Sequence, residues 1–200
     1  MPMLPEEPSC YPANLFTDEP EPAGPPGALE PSPLWWALHT KPRQEKALAR
    51  HLYRAGVPFY LPLVRRRSLV RGRVLCSHVP LFTGYLFLLA SHEERAIALA
   101  TDRVVQALPV AAQERLWRDL SAVHRLIATG APVTPEGRLG PSAVVEITSG
   151  PLAGMKGKIL RGASGRRFVV QVDFIQQGAS VLLDDFRLAP AEEEVRAVPN

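Results

Sequence analysis

The chain has 200 residues, of which 46% are hydrophobic, and a formal net charge of +3. This length suits one or two small domains. No stretch has the pattern of a signal peptide or reaches transmembrane length, so we expect a cytoplasmic protein without a membrane partner. Cys10 and Cys76 have no His or Cys at ligand spacing, and no nucleophile motif accompanies the scattered histidines. These patterns predict no metal site, no cofactor and no catalytic residue.

Charge divides the chain unevenly. Residues 1–33 hold ten prolines, six acidic residues and no Lys or Arg, a composition that buries too little apolar surface to offset chain entropy. We therefore predict a disordered acidic tail over residues 1–33 and a short C-terminal tail over residues 191–200. Residues 34–129 carry fifteen Lys and Arg against six Asp and Glu, a net charge of +9. This excess indicates a polyanionic partner, most often nucleic acid, with an Arg-rich soluble surface as the alternative.

The first elements of the basic segment are a strand and a cationic helix. A short apolar strand over residues 34–39 precedes a helix that starts just after Thr40, its candidate cap, and ends at Gly56. Apolar residues at helical spacing predict one buried face. The opposite face is cationic and favours contact with phosphates. Its residues are Lys41, Arg43, Lys46, Arg50, His51 and Arg54.

A basic hairpin follows. Pro58 and Pro62 restrict residues 57–64 to an edge strand or to interrupted pairing. The hairpin beyond it has its tip at Gly72, and it either contacts phosphates or is a solvated loop. Its arginines are Arg65, Arg66, Arg67, Arg71 and Arg73.

Residues 80–90 form the longest uncharged, aromatic-rich run. Such a run predicts the central strand of a sheet that is covered on both faces. Alternation places Tyr85, Phe87 and Leu89 on one face, and the residues between them on the other.

The remaining pattern predicts two further helices and a second domain. Ser91 caps a helix that ends near residue 100, a strand spans residues 104–108, and a helix over residues 111–129 ends at Gly130. The fold class is therefore α+β, with helices packed on a mainly antiparallel sheet. Residues 130–141 have linker composition. Five short strands over residues 142–190 predict a small β-barrel.

Two motifs resemble those of a known family. The segment LFTGYLF at residues 81–87 is similar to the Phe-Pro-Gly-Tyr-aliphatic signature in the N-terminal (NGN) domain of NusG transcription factors, although Thr83 replaces the usual Pro. Residues 144–159 resemble the KOW motif of the same family. In that family the motif belongs to a small SH3-like barrel. Residues 64–88 are most similar to specialised RfaH-type paralogues, but the His-Thr-Thr-Thr-like run that follows in RfaH is missing. The KOW positions are Gly150, Pro151, Gly154 and Gly157.

The resemblance implies an NGN-like domain over residues 34–129 and a KOW domain over residues 142–190. It implies a monomeric elongation and antitermination factor that binds the clamp helices of the largest RNA polymerase subunit and the DNA of the transcription bubble. Phe174 and Ile175 match the KOW docking site for a small-subunit ribosomal protein or for Rho. The polymerase-binding residues would be Trp35, Phe82, Tyr85 and Phe87.

Several alternatives remain open from the sequence. The alternatives to a specialised factor are a general NusG-type elongation factor and an RNA-binding, ribosome-associated KOW protein. Each aromatic residue has two possible roles, packing in the core or contacting a partner. We assign Phe82 and Tyr85 to the interface and Phe87 to the core. Phe174 continues the period-two pattern of residues 168–172. The alternative to a docking role is therefore that its side chain faces inward and packs in the barrel core.

Overall fold

The computed structural model describes residues 7–17, 33–70, 72–137, 144–162, 165–182 and 188–190. The predicted C-terminal tail and most of the predicted N-terminal tail lie outside these residues. The elements of the first part are β1 (Cys10–Tyr11), β2 (Leu34–Thr40), α1 (Glu45–Ala55), β3 (Phe59–Tyr60), β4 (Leu63–Val70), β5 (Arg73–Pro80), β6 (Tyr85–Ala90), α2 (His92–Leu99), β7 (Val104–Pro109) and α3 (Gln113–Ala128). Those of the second part are β8 (Thr134–Glu136), β9 (Val144–Ile147), β10 (Lys156–Gly162), β11 (Gly165–Val172), β12 (Gln177–Leu182) and β13 (Leu188–Pro190).

Strand β6 lies in the middle of the first sheet, whose order is β1-β3-β6-β2-β7 with antiparallel pairing throughout. The predicted alternation is confirmed, because Tyr85, Phe87 and Leu89 join one apolar cluster while Leu86 and Leu88 join another. Helix α3 covers the first cluster, and helices α1 and α2 cover the second. The predicted α+β fold class is therefore confirmed.

Helix α1 starts later than the sequence predicts. Thr40 is the last residue of β2, and Gln44 is the N-cap without a side-chain cap bond. Arg43 has a φ of 62°, a left-handed conformation that keeps it out of the helix. The predicted end is confirmed, since Gly56 has a φ of 70° and its N–H bonds the last turn. Helix α2 has the predicted Ser91 cap, and Glu94 completes a capping box.

Strands β4 and β5 form a two-stranded ribbon, and pair with each other from Leu63↔Pro80 to Val70↔Arg73. Most of the ribbon's described side chains are exposed, Leu69 and Val74 among them. The predicted hairpin with a tip at Gly72 is confirmed.

The N-terminal segment departs from the prediction of a disordered tail over residues 1–33. Strand β1 pairs with β3 through Cys10↔Tyr60 and Tyr11↔Phe59. Phe16 lies against the sheet, with its ring centroid 4.9 Å from that of Tyr60. Long-range aromatic contacts hold this segment, and composition alone does not reveal them. Residues 1–6 and 18–32 lie outside the described residues.

The second sheet has the order β13-β9-β10-β11-β12-β8. Its strands β9 to β13 occur where the sequence predicts five strands, with the last one displaced by two residues. Strand β8 is additional: it lies within the predicted linker and pairs with β12 from Gly178↔Glu136 to Ser180↔Thr134. The linker prediction therefore missed one strand, because Pro135 and its neighbours have turn composition.

Helix α3 joins the two sheets. One continuous apolar cluster contains its Leu116 and Leu120 together with residues of both sheets. The N–H of Asp173 donates to Asp119 of α3 at 3.0 Å, and Arg115 pairs with the Asp173 carboxylate. None of the described helices combines the length and apolar character required to cross a membrane.

Candidate functional site

The four aromatic residues predicted to bind polymerase differ in exposure. Trp35 and Phe82 are only 3% and 1% exposed, and Phe87 is fully buried. Tyr85 is partly exposed, and its ring centroid lies 5.4 Å from that of His39. The assignment of Phe82 to an exposed interface is wrong in this structure, because its ring packs edge-on against Phe87 inside the cluster. Tyr85 is thus the accessible member of the set.

A tight turn sets the position of Tyr85. The Tyr85 N–H donates to the Phe82 carbonyl at 3.1 Å, and Gly84 between them has a φ of 82°. The Gly84 carbonyl accepts from Thr40 N–H, and the Gly84 N–H donates to the Glu45 carboxylate, both at 2.8 Å. Glycine adopts this backbone conformation without strain. The turn therefore ties β2 and α1 to the start of β6.

The cationic face of α1 is solvent-accessible. Arg50, His51 and Arg54 are exposed, and Lys46 is half-buried. The only acidic residue in α1, Glu45, is buried and bonded to the Gly84 turn. The helix therefore presents its positive charge without a carboxylate of its own beside it.

Residues around α1 add two ion pairs. Lys41 bonds Asp102 at 2.8 Å, and Arg50 bonds Glu7 of the N-terminal segment at 2.9 Å. Arg43 lies exposed in the turn before α1. Between exposed groups such pairs contribute little, so the face stays available for phosphates.

The ribbon arginines Arg65, Arg66, Arg67 and Arg73 are all exposed, whereas Arg71 lies outside the described residues. The described part of the chain contains no acidic group within ion-pair distance of these four. The ribbon is therefore a second cationic surface.

A groove runs along the foot of the ribbon. Arg65, Arg67 and His78 line it on the ribbon side, and Ile127 of α3 and Val133 line it opposite. Cationic groups beside an apolar floor suit a nucleic-acid strand, with phosphates on the arginines and a base on the floor.

The sheet separates the two candidate surfaces. Leu48 and Leu52 of α1 pack in the cluster on one face, whereas Trp35 and Phe87 belong to the cluster on the other. A partner on the aromatic face and a nucleic acid on the α1 side can therefore bind together.

The KOW glycines have distinct roles. Gly150 and Gly154 have φ values of 88° and 80°, and the turn between them closes by a bond from Gly154 N–H to the Ile147 carbonyl at 2.8 Å. Pro151 is exposed in that turn. A Cβ on Gly157 would lie 2.6 Å from the Phe168 ring, so β10 and β11 require a glycine there.

The two candidate docking residues of the second sheet, Phe174 and Ile175, differ in exposure. Strand β11 ends at Val172, and a 3₁₀ turn spans Asp173–Ile175. Phe174 is 38% exposed, which excludes the inward-facing alternative, whereas Ile175 is 9% exposed. The turn breaks the period-two pattern and rotates Phe174 outward. Ile175 supports the turn from inside and is not accessible for docking in this arrangement.

The sequence reasoning missed an aromatic group around Phe16. Its ring lies nearly parallel to Trp35 at 6.1 Å between centroids, and it contacts His124 of α3 at 5.2 Å. Burial lowers the pKa of His124. The pair Leu15-Phe16 in an otherwise polar, Pro-rich tail is the sequence signal that identifies such a segment.

Buried titratable groups lie between α3 and the second sheet. Burial raises the pKa of Asp119 to about 7, although Arg115 and Arg118 oppose the shift. The described residues hold no group of three or more His, Cys, Asp or Glu side chains arranged for a metal ion.

One family model matches part of the chain. Residues 33–128 match the family model described as "Transcription termination factor nusG". No curated protein sequence matches the chain significantly.

Two solved structures are similar at low identity. The structure titled "Domain interaction in Thermotoga maritima NusG" has a TM-score of 0.41 and 17% identity, over 75% of this chain and 93% of that one. The structure titled "Crystal Structure of MjSpt4:Spt5 complex conformation B" has a TM-score of 0.25 and 14% identity, over 80% of this chain and all of that one. Because both TM-scores are low, similarity to the NusG family is argued only from the match over residues 33–128.

Proposed function

Because residues 33–128 match the family model described as "Transcription termination factor nusG", we propose that the chain belongs to the NusG family and is a transcription elongation factor. It binds the clamp helices of RNA polymerase and contacts the DNA of the transcription bubble. The observation that carries the proposal is that the matched residues hold both the aromatic sheet face and the cationic helix. The activity needs no covalent chemistry, since a closed clamp and an anchored upstream duplex disfavour pausing and termination.

Tyr85 is the first contact for polymerase. A tyrosine supplies a large contact area at low entropic cost, and its hydroxyl forms hydrogen bonds at the polar rim of an interface. The buried aromatic residues behind it, Phe82 and Phe87, hold the strand rigid. Trp35 forms part of the same face under Phe16 and becomes available to a partner only when that cover moves.

DNA contact belongs to two cationic surfaces, the outer face of α1 and the ribbon. Arg50, Arg54 and Lys46 of α1 and the ribbon arginines contact phosphates, a contribution that depends on salt and not on sequence. Recognition of a particular pause sequence requires one of these side chains to reach a base edge. The ribbon is the candidate, because its described arginines are all exposed.

We also propose that the chain is a specialised factor and not a general one. The ribbon sequence is most similar to RfaH-type paralogues, which favours an antitermination factor directed to particular operons. Phe174 is the docking residue through which the KOW domain recruits a small-subunit ribosomal protein or Rho. Its 38% exposure leaves the ring accessible to a partner, as that role requires.

Binding of the full chain to RNA polymerase core enzyme from the same organism tests the proposal. Replacing Tyr85 by Ala removes an anchor worth about 2 kcal/mol, so we expect affinity to fall by about thirtyfold. Tyr85→Phe keeps the ring and serves as the matched control with near wild-type affinity. A chain that binds RNA but ignores polymerase supports the RNA-binding KOW alternative instead.

A further inference from the structure

The described N-terminal residues 7–17 form a strap on the edge and face of the first sheet. The strap adds β1 to the edge of β3, and the Leu61 N–H donates to the Ser9 carbonyl at 2.7 Å. Tyr11 packs edge-on against Tyr53 of α1 with centroids 5.3 Å apart. The strap thus occupies a strand edge that otherwise has free hydrogen-bonding groups.

The strap also covers the aromatic face. Phe16 contacts Trp35 and Tyr60, and Tyr60 is the direct cross-strand neighbour of Phe87. Two predicted polymerase-binding residues, Trp35 and Phe87, therefore lie under or beside the strap. Phe16 therefore covers this end of the aromatic cluster beside helix α3.

Charge attracts the strap to the same domain. Glu7 pairs with Arg50 on the cationic face of α1 at 2.9 Å. The strap belongs to a tail with six acidic residues, and the domain beneath it has a net charge of +9. A bound strap therefore neutralises part of the surface assigned to DNA, as well as covering part of the surface assigned to polymerase.

One feature of the docked strap is unfavourable. The Tyr60 hydroxyl is buried without a hydrogen-bond partner within the described residues. A buried unpaired hydroxyl costs free energy that is recovered when water reaches it. Strand β1 itself contributes only two residues of pairing. A short strand and an unpaired hydroxyl give a contact that a competing partner can displace.

We propose that residues 7–17 are an autoinhibitory strap that RNA polymerase displaces when it binds the aromatic face. The inference rests on the proposed function and adds its regulation. In the free chain the strap occupies the Trp35–Tyr60 surface and the Arg50 end of α1. On the polymerase it detaches, so both surfaces open in the same step.

Cys10 reports the state of the strap. It lies in β1 opposite Tyr60, and burial raises the pKa of its thiol to about 11. A docked Cys10 is therefore poor in thiolate and shielded from reagents. The second cysteine, Cys76, is exposed in the ribbon. Replacing it by Ser leaves Cys10 as the single thiol of the chain.

The test is maleimide alkylation of Cys10 in the full-length Cys76→Ser protein, followed by intact mass. We expect the Phe16→Ala substitution to accelerate alkylation by about tenfold, because loss of the ring contacts shifts the strap toward its open state. We expect a similar acceleration in the unsubstituted strap when RNA polymerase core enzyme is added in excess. Leu99→Ala, on the far side of the sheet at the end of α2, is the control and leaves the rate unchanged.

Polymerase affinity, measured in parallel by fluorescence anisotropy, separates the outcomes. Tighter binding of Phe16→Ala together with exposed Cys10 in the complex supports the strap. If polymerase binds while Cys10 stays protected and Phe16→Ala binds with unchanged affinity, the strap is a permanent part of the fold and the inference is overturned, although the proposed function stands. If neither protein binds polymerase, the proposed function fails, and the inference fails with it.

Discussion

The buried carboxylate of Glu45 accepts a hydrogen bond from the backbone N–H of Gly84 at 2.8 Å. This contact joins the first turn of α1 to the turn that precedes Tyr85. Helix α1 packs on one face of the sheet, and the Tyr85 side chain packs on the other. The contact couples the geometry of the two candidate surfaces through one buried bond.

Loss of this acceptor should destabilise the protein. Glu45→Ala leaves the Gly84 N–H buried without a partner, so we expect the free energy of unfolding to fall by about 1–3 kcal/mol. Urea denaturation measures the change. Glu45→Gln keeps an acceptor oxygen and should lose less. Equal losses for the two variants would show that the hydrogen bond contributes nothing specific.

The second sheet should tolerate no side chain at Gly157. A Cβ there would meet Phe168 and the Val169 carbonyl, each at 2.6 Å. We therefore expect Gly157→Ala to lower the free energy of unfolding of this sheet by about 1–3 kcal/mol.

Gly137 provides the matched control for this substitution. A Cβ on Gly137 has no atom within 4 Å, so Gly137→Ala should change stability by less than about 0.5 kcal/mol. Thermal unfolding of both variants compares them directly. A neutral Gly157→Ala would contradict the close approach of β10 and β11.

The ribbon arginines should determine part of the salt dependence of DNA binding. Each phosphate contact contributes about 0.9 to the slope of log affinity against log salt, so Arg66→Ala with Arg67→Ala should reduce the slope by about 2. Fluorescence anisotropy with a labelled duplex across a salt series measures it. Arg118→Ala with Arg161→Ala removes two exposed arginines elsewhere and should leave the slope nearly unchanged. Equal reductions would indicate a diffuse charge effect.

The contact between α3 and the second sheet should weaken as pH rises. Asp119 has a pKa of about 7 in the folded protein against an ordinary value of 3.8. The folded state therefore binds a proton that the unfolded chain releases in this range. The resulting stability is complete below pH 3.8 and is lost as pH rises through about 7.

Asp119→Asn tests that dependence. The amide keeps an acceptor for the Asp173 N–H but cannot ionise, so the variant should be more stable than the original chain at pH 8. Its melting temperature should also vary less between pH 5.5 and pH 8. If the melting temperature of the variant kept its full pH dependence, a group other than Asp119 would be responsible for it.

The central sheet could be predicted because its signals are local. Residues 80–90 alternate between two apolar faces, Ser91 and Glu94 form a capping box, and Gly56 and Gly130 follow the helices that they end. Each of these features depends on residues within a few positions of one another.

The misses depend on contacts or local turns that alternation does not reveal. Strand β1 exists because Cys10 and Phe16 meet Tyr60, some fifty residues away. Phe82 is buried because the turn folds it onto Phe87, and Phe174 is exposed because β11 ends in a 3₁₀ turn. Alternation and composition contain no information about these tertiary contacts. Tyr85 is partly exposed and the α1 arginines are exposed, so their predicted binding roles stay predictions, whereas Phe82 is buried.

The most direct measurement of the central claim is the lifetime of a defined pause in single-round elongation by RNA polymerase from the same organism. The account predicts that the full chain shortens the pause, that Tyr85→Phe does so equally, and that Tyr85→Ala, folded and at the same concentration, does not. A full chain that leaves the pause lifetime unchanged at concentrations that saturate its binding to nucleic acid would contradict the account.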